Sequence, residues 1–259
     1  MPKTLGLIGC GAFGEFTLRH LTPYFRVRVH DPHRDLAPIT EVYDVQAVDL
    51  AAAASAEIVV PAVPVQRFES VVRRIVPHLR PGALVVDVCS VKLKPHAILA
   101  RLLPPEVDFV CTHPLFGPQS GRDGIAGLKI AVCPGRGGRE PCVERFLAER
   151  LRLTVVRTTP ERHDRELAYV QGLTHLIAKI MVEIEPQDVL QTTRTWELLM
   201  QSVELVRYDS DELFLAIESE NPFVGEAKAR FFDTARALEA RLAEAARLRR
   251  NGETDPGGA

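Results

Sequence analysis

The sequence predicts an α/β fold with a doubly wound parallel sheet, followed by an all-helical segment. Three observations predict it. Short β-branched runs alternate with amphipathic stretches from Lys3 to about Thr158. A Gly9-Cys10-Gly11-Ala12-Phe13-Gly14 turn sits at the first strand-to-helix junction, and beyond Thr158 no convincing strand remains.

Strands are expected at Leu5–Gly9, Val27–Asp31, Glu57–Val63, Leu84–Val88, Phe109–Thr112, Lys129–Cys133 and Thr154–Arg157. Several are apolar without alternation, as strands of a parallel sheet are when helices cover both faces. The helices between them are expected at Phe13–Leu21, Val65–Leu79, Pro95–Leu103 and Glu140–Leu151. After Thr158, Pro160 suits a first helical position behind the cap candidates Thr158 and Thr159. Helices then follow at Glu161–Ile184, Asp188–Val206, Asp211–Glu220 and Pro222–Arg249, with breaks near Pro186, Tyr208–Ser210 and Asn221-Pro222. Residues 251–259 form a Gly/Pro-rich polar tail expected to be disordered. The expected organisation is an α/β domain over 1–158, a helical domain over 159–250 and a tail.

The net charge of −2, from 34 acidic and 32 basic side chains, gives no global attraction to nucleic acid or an anionic membrane. No apolar run is expected to reach membrane-spanning length, and the N-terminus enters a strand without the features of a signal peptide. The five cysteines (Cys10, Cys89, Cys111, Cys133 and Cys142) are odd in number and form no CxxC pair. They suggest a reduced, cytoplasmic protein without disulfides or a zinc site, and hence no metal.

The glycine spacing defines the first candidate site. The first glycine permits a tight turn, the second lets backbone approach a pyrophosphate, and the third allows close helix–strand packing. Gly9, Gly11, Ala12, Phe13 and Gly14 are therefore candidate cofactor contacts at the positive end of a helix. Asp31, at the end of the second strand, suits a ribose 2′-hydroxyl and repels a 2′-phosphate, which favours NAD. Arg34 and His33 pull the other way, because an arginine there can accommodate the phosphate of NADP. The whole constellation predicts a Rossmann-type dinucleotide-binding domain.

Three loops at the carboxyl ends of strands are candidates for the chemistry, since ligands of open α/β sheets collect there. Val63-Pro64 could line the adenosine side of the cofactor or simply punctuate a strand exit. In Asp87-Val88-Cys89-Ser90-Val91-Lys92, Ser90 could hydrogen-bond a substrate hydroxyl or serve only as a helix cap, and Lys92 could neutralise a substrate carboxylate. In Thr112-His113-Pro114-Leu115-Phe116-Gly117, a histidine at a strand end before a rigid loop is placed to face a nicotinamide and take a proton. In the helical segment, His163, Leu167, Gln171 and His175 recur every four residues and would share one face, lining either a cleft or a partly exposed surface. Arg194, Trp196 and Arg207 are open between carboxylate recognition and packing.

Together GCGAFG, DVCSVK, THPLFGPQSG and HDRELAYVQGLTH resemble, in order and spacing, the signature set of the prephenate/arogenate dehydrogenase family, over roughly residues 3–235. Asp211–Asn221 is similar to the late helix of short arogenate dehydrogenases, the plant type included. The resemblance implies oxidative decarboxylation of prephenate or arogenate in tyrosine biosynthesis. It implies His113 as the group that accepts the C4 hydroxyl proton and Ser90 as the residue that positions that hydroxyl. It further implies Lys92, Gln171 and His175 near substrate or nicotinamide, and a homodimer made by the helical domain. Relatives hold a substrate carboxylate with an arginine in a longer segment; here the segment is short, and Arg207 is the nearest candidate. The alternatives are another two-domain NAD(P) enzyme, such as a 3-hydroxyacid dehydrogenase, or a non-catalytic NAD-binding protein.

Overall fold

A computed structural model describes residues 2–184 and 190–252. Its first part is an eight-stranded sheet of β1 (Thr4–Ile8), β2 (Arg26–His30), β3 (Val45–Ala47), β4 (Ile58–Pro61), β5 (Leu84–Asp87), β6 (Asp108–Pro114), β7 (Lys129–Arg136) and β8 (Thr154–Arg157). The spatial order is β3-β2-β1-β4-β5-β6-β7-β8. The chain reverses direction in space between β3 and β4, so the ends of β1 and β4 flank a crevice. The helices are α1 (Ala12–Leu21), α2 (Ala37–Val42), α3 (Leu50–Ala54), α4 (Val65–Ile75), α5 (Leu93–Leu102) and α6 (Glu140–Arg145), the last running on through a π-helical turn, Phe146–Arg150.

All seven expected strands form, and the doubly wound parallel sheet that was expected carries one antiparallel pair. β7 pairs antiparallel with β6, whereas β8 is parallel to β7. The chain returns directly from β6 through the loop at 115–128 rather than through a crossover helix, and only an antiparallel partner permits that. Three short elements, α2, β3 and α3, were not foreseen because each is too brief to show a period.

One face of the sheet is covered by α4 and α5. Phe68, Val72, Ile75, Ile98 and Leu99 pack there against Val59, Val85 and Cys111. Phe68 is fully buried, so its side chain alone contributes about 1.5–3 kcal/mol of transfer free energy. The other face is covered by α1 and by the α6 segment, with Phe16, Leu18 and Leu147 buried. An apolar cavity of about 390 Å³ lies between them, lined in part by Phe13, Phe16, Phe116 and Phe146.

The second part contains α7 (Pro160–Leu167), a π-helical turn at Ala168–Leu173, α8 (Thr174–Ile184), α9 (Arg194–Val206), α10 (Asp211–Glu220) and α11 (Val224–Gly252). The Thr159 hydroxyl caps α7 by accepting from Arg162 N–H, with Pro160 in the first turn. The helix expected from Asp188 begins only at Arg194, where the Thr193 hydroxyl accepts from Trp196 N–H. The break expected near Pro186 and the tail beyond Gly252 lie outside the described residues, and α11 itself runs past the expected end at Arg249. The two parts are joined: Ala216 of α10 enters the core beneath α4, and Lys94 of α5 pairs with Glu220 at 2.7 Å.

The expectation about spanning length needs correcting. The continuous helix Pro160–Ile184 is long and apolar enough to cross a membrane by length and composition alone, with mean hydropathy 1.2 over its most apolar window. A search for uninterrupted apolar residues misses it, because Gln171, His175 and Lys179 are dispersed through it. Its first turns hold buried His163 and Asp164 against the sheet part.

Candidate active site

The glycine turn follows the spacing argument closely. Gly9 has φ +95°, and a Cβ there would lie 2.4 Å from the Ala62 carbonyl oxygen. A Cβ on Gly14 would lie 2.3 Å from the carbonyl oxygen of Gly9, so the helix sits directly on the strand end. A Cβ on Gly11 would meet nothing within 4 Å. That opening lies at the N-terminus of α1, where Gly11 is the cap residue and offers no side chain to the free N–H groups. The pattern fits a bound pyrophosphate: closed around Gly9 and Gly14, open above Gly11. Ala12 and Phe13 form the first turn of α1. Val63 packs beside the Gly9 turn, and Pro64 is the residue preceding α4.

Asp31 follows directly on β2. Its Oδ2 accepts from Cys10 N–H at 2.7 Å and its Oδ1 from His33 N–H at 2.9 Å. The carboxylate thus holds the glycine loop in place and keeps acceptor sites for a ribose hydroxyl. Arg34, the residue that argued for NADP, donates to Glu15 Oε2 at 2.6 Å and to the Cys10 carbonyl oxygen at 2.5 Å. Its guanidinium is therefore occupied at the loop.

β5 and β6 carry the second group of candidates to the same sheet edge. Lys92 is completely buried and forms an ion pair with Asp87, while donating to the Thr112 carbonyl oxygen at 2.6 Å. Burial disfavours its ammonium, but the Asp87 carboxylate outweighs this and raises the pKa overall. The expectation that Lys92 meets a substrate carboxylate is therefore corrected, because its charge is spent inside the protein. Ser90 is half-buried and its hydroxyl has no partner among the described residues. The alternative that Ser90 caps a helix is likewise overturned. The cap residue of α5 is Lys92, and Asp164 of α7 binds the free N–H groups, accepting from Lys92 N–H at 2.8 Å and Leu93 N–H at 2.9 Å.

His113 lies near the end of β6 and is 5% exposed. Its Nδ1 is 2.9 Å from Nε2 of His163, whose own Nδ1 is 2.7 Å from Oδ1 of Asp164. Burial, and then the nearby His163, Lys92 and His175, hold the His113 imidazolium well below the usual histidine range, so the ring is neutral at pH 7. The loop after His113 packs on α1: Phe116 stacks edgewise on Phe16 at 6.3 Å, and a Cβ on Gly121 would strike the Phe16 ring at 2.6 Å. The histidine loop and the glycine turn are thereby fixed to one helix.

The expected common face of His163, Leu167, Gln171 and His175 does not persist. The π turn at Ala168–Leu173 shifts the register, as one extra residue in the turn must. His163 faces His113, whereas His175 Nδ1 is bonded to the Gln171 carbonyl oxygen at 2.9 Å and Nε2 to Asp209 at 3.1 Å. Gln171 is half-buried. Arg207 pairs with Glu204 at 2.9 Å and lines a cavity of about 40 Å³ with His175, Lys179, Asp209 and Phe214. Arg194 pairs with Glu197 at 3.3 Å on the surface. Sequence reasoning singled out His163 only as part of a stripe and passed over Asp164, Asp87 and Thr112. The adjacent His163-Asp164 pair at a helix start was the available signal.

All five cysteines are free thiols, and four are buried. Burial drives Cys89 and Cys111 well above their ordinary range and pushes Cys133 up to about 12, so these are packing residues rather than nucleophiles.

Residues 28–128 match the family model for the prephenate dehydrogenase nucleotide-binding domain. The chain is 35% identical over 152 residues to arogenate dehydrogenase 2, chloroplastic, of Arabidopsis thaliana, covering 56% of this chain and 42% of that protein. It is 26% identical over 261 residues to arogenate dehydrogenase 1, chloroplastic, of the same plant, covering 92% of this chain and 39% of that protein. The chain thus spans about two fifths of the length of these curated relatives. Among solved structures it is similar to prephenate dehydrogenase from Aquifex aeolicus in complex with hydroxyphenyl propionate and NAD+, with TM-score 0.72, 19% identity and coverage of 95% of this chain and 92% of that one. By the matched nucleotide-binding domain and the fold that it shares, the chain is similar to the prephenate dehydrogenase family.

Proposed function

We propose that the protein is an NAD-dependent dehydrogenase that oxidatively decarboxylates prephenate, arogenate or both. The carrying observation is His113: a buried histidine, neutral at pH 7, at the same sheet edge as a dinucleotide-shaped glycine turn and tied to it through Phe16. When bound, the nicotinamide supplies the hydride acceptor. Gly11 would leave room for the pyrophosphate and Asp31 would hold the adenosine ribose, and the engagement of Arg34 by Glu15 supports NAD over NADP.

In this reading His113 Nε2, which has no hydrogen-bond partner among the described residues, takes the C4 hydroxyl proton as the carbon gives up its hydride. Ser90 orients that hydroxyl with its unpartnered Oγ. Loss of the ring carboxylate as CO2 then leaves a phenolate, which recovers the proton from His113. We assign Gln171, His175 and Arg207 to the far end of the substrate, where the keto or amino group distinguishes prephenate from arogenate. Two domains over 1–158 and 159–250 accord with this division of labour. Exposed Val170, Ile184, Leu198 and Leu205 support a homodimer through the helical part, since apolar surface of this kind is normally covered by a partner. The free thiols accord with a reducing compartment such as the cytoplasm.

The test is NADH formation with prephenate and with arogenate. His113→Asn is expected to lower kcat by about 10²–10⁴-fold, with NAD affinity nearly unchanged. Unaltered turnover in that variant removes His113 from the reaction, and absence of turnover on both substrates by the wild type overturns the assignment.

A further inference from the structure

We infer that His163 and Asp164 are positioning residues that lock His113 in the tautomer whose Nε2 is a proton acceptor. For what that acceptor acts upon, the inference rests on the function proposed above. The tautomer itself follows from hydrogen-bond polarity. Three N–H donors face the two oxygens of Asp164: His163 Nδ1 at 2.7 Å, Lys92 N at 2.8 Å and Leu93 N at 2.9 Å. The His163 proton therefore sits on Nδ1, and a neutral imidazole with Nδ1–H has a lone pair on Nε2. The atom facing that lone pair at 2.9 Å is His113 Nδ1, which must donate. His113 is left with one free lone pair, on Nε2.

Exclusion of water makes the line effective. His113, His163 and Asp164 are 5%, 1% and 0% exposed, so no solvent molecule competes for these atoms. Asp164 is held from both ends, by the first N–H groups of α5 and by Asn221 Nδ2, which donates to its backbone carbonyl oxygen at 2.8 Å. The remaining charged or titratable groups around His113 are Lys92, already paired with Asp87, and His175, paired with Asp209. Neither competes for His113 Nδ1.

The proton balance is simple. The hydroxyl proton moves to His113 Nε2, the Nδ1 proton stays in place, and the bond to His163 strengthens as the imidazolium forms. No proton has to travel to Asp164. Because His163 and Asp164 come from α7 and His113 from β6, the base is set correctly only while α7 is docked on α5.

Two variants separate this role from packing. His163→Leu removes the acceptor for His113 Nδ1–H, while His163→Gln keeps an oxygen that can accept it. The Leu variant is expected to lose about 10²–10⁴-fold in kcat, with KM and NAD affinity little changed, and the Gln variant to recover most of the loss. Equal kcat in the two variants overturns the inference. Long-range ¹H–¹⁵N correlation spectra of the wild type read the tautomer directly, without turnover and without any variant having to fold. A His113 ring protonated on Nδ1 and bare on Nε2 supports the inference; the opposite tautomer overturns it. Should the wild type fail to oxidise either substrate, the proposed reaction falls while the spectra still decide this point.

Discussion

Lys92 offers the clearest separation between what its motif suggests and what its surroundings dictate. Lys92→Met keeps the aliphatic length but removes the ammonium that neutralises Asp87 and donates to the Thr112 carbonyl oxygen at 2.6 Å. Both partners of the pair are fully buried, so the Asp87 carboxylate would be left without a counter-charge. Breaking such a pair from one side costs about 3–5 kcal/mol. For a chain of this size, 1 kcal/mol moves the thermal midpoint by about 2–4 °C, so a drop of roughly 6–20 °C is expected. Adding Asp87→Asn removes the orphaned charge while keeping an oxygen for Cys89 N–H, and should return part of the loss. Thermal and urea unfolding of the single and double variants measure this. If Lys92→Met unfolds like the wild type yet shows a raised KM for the substrate, the buried-pair reasoning is wrong and the lysine binds substrate after all.

Other predictions follow from the same edge of the sheet. Gly11→Ala should leave stability nearly unchanged but weaken NAD binding at least about tenfold, because its methyl would occupy the open space above the turn; Gly14→Ala should destabilise the fold as well, its methyl striking the Gly9 carbonyl. Calorimetric binding and thermal melts distinguish the two, and equal effects on both quantities would contradict the assigned roles. Since the folded-state pKa of His113 is lowered, log kcat/KM should be flat around neutrality and fall only well below the ordinary histidine value of ~6.5. The same shift makes the histidine contribution to stability fully present above ~6.5 and lost as pH falls toward the folded-state value, because the unfolded chain binds the proton first. An activity limb centred at ~6.5 would show that burial does not act on the base as argued. Glu15→Ala releases Arg34 from one of its two bonds and should shift the kcat/KM ratio toward NADP by at least about tenfold, the low end of the ~1.5–3 kcal/mol of a hydrogen bond to a charged group. An unchanged ratio would mean that Arg34 does not face the 2′-position.

Local pattern was enough wherever a short segment makes its own geometry. The GCGAFG turn states its backbone needs in three glycines, and Asp31 falls at the end of the next strand by simple spacing. The seven longer strands, the Thr159–Pro160 helix start and the whole of Asp211–Glu220 were legible for the same reason: their apolar periods or caps are written within a few residues. The brief α2, β3 and α3, and the reversal at β7, were not, because they are decided by how the chain closes on neighbours rather than by their own pattern.

The active-site chemistry divides along the same line. From sequence alone, His113 stood out as a strand-end histidine before a rigid loop, and the glycine turn as a seat for a dinucleotide. Tertiary structure decided which charges are free to act. Lys92, two residues after the free hydroxyl of Ser90, turned inward because Asp87 at the β5 end lies beside it once β5 and β6 pair. Asp164 acquired its role only when α7 docked on α5, and His163 met His113 across 50 residues of chain. Spacing along one element can place side chains on a face; it cannot say which buried donor will meet which acceptor. Those pairings depend on desolvation and distance between elements, and here they determine which histidine nitrogen is left to take a proton.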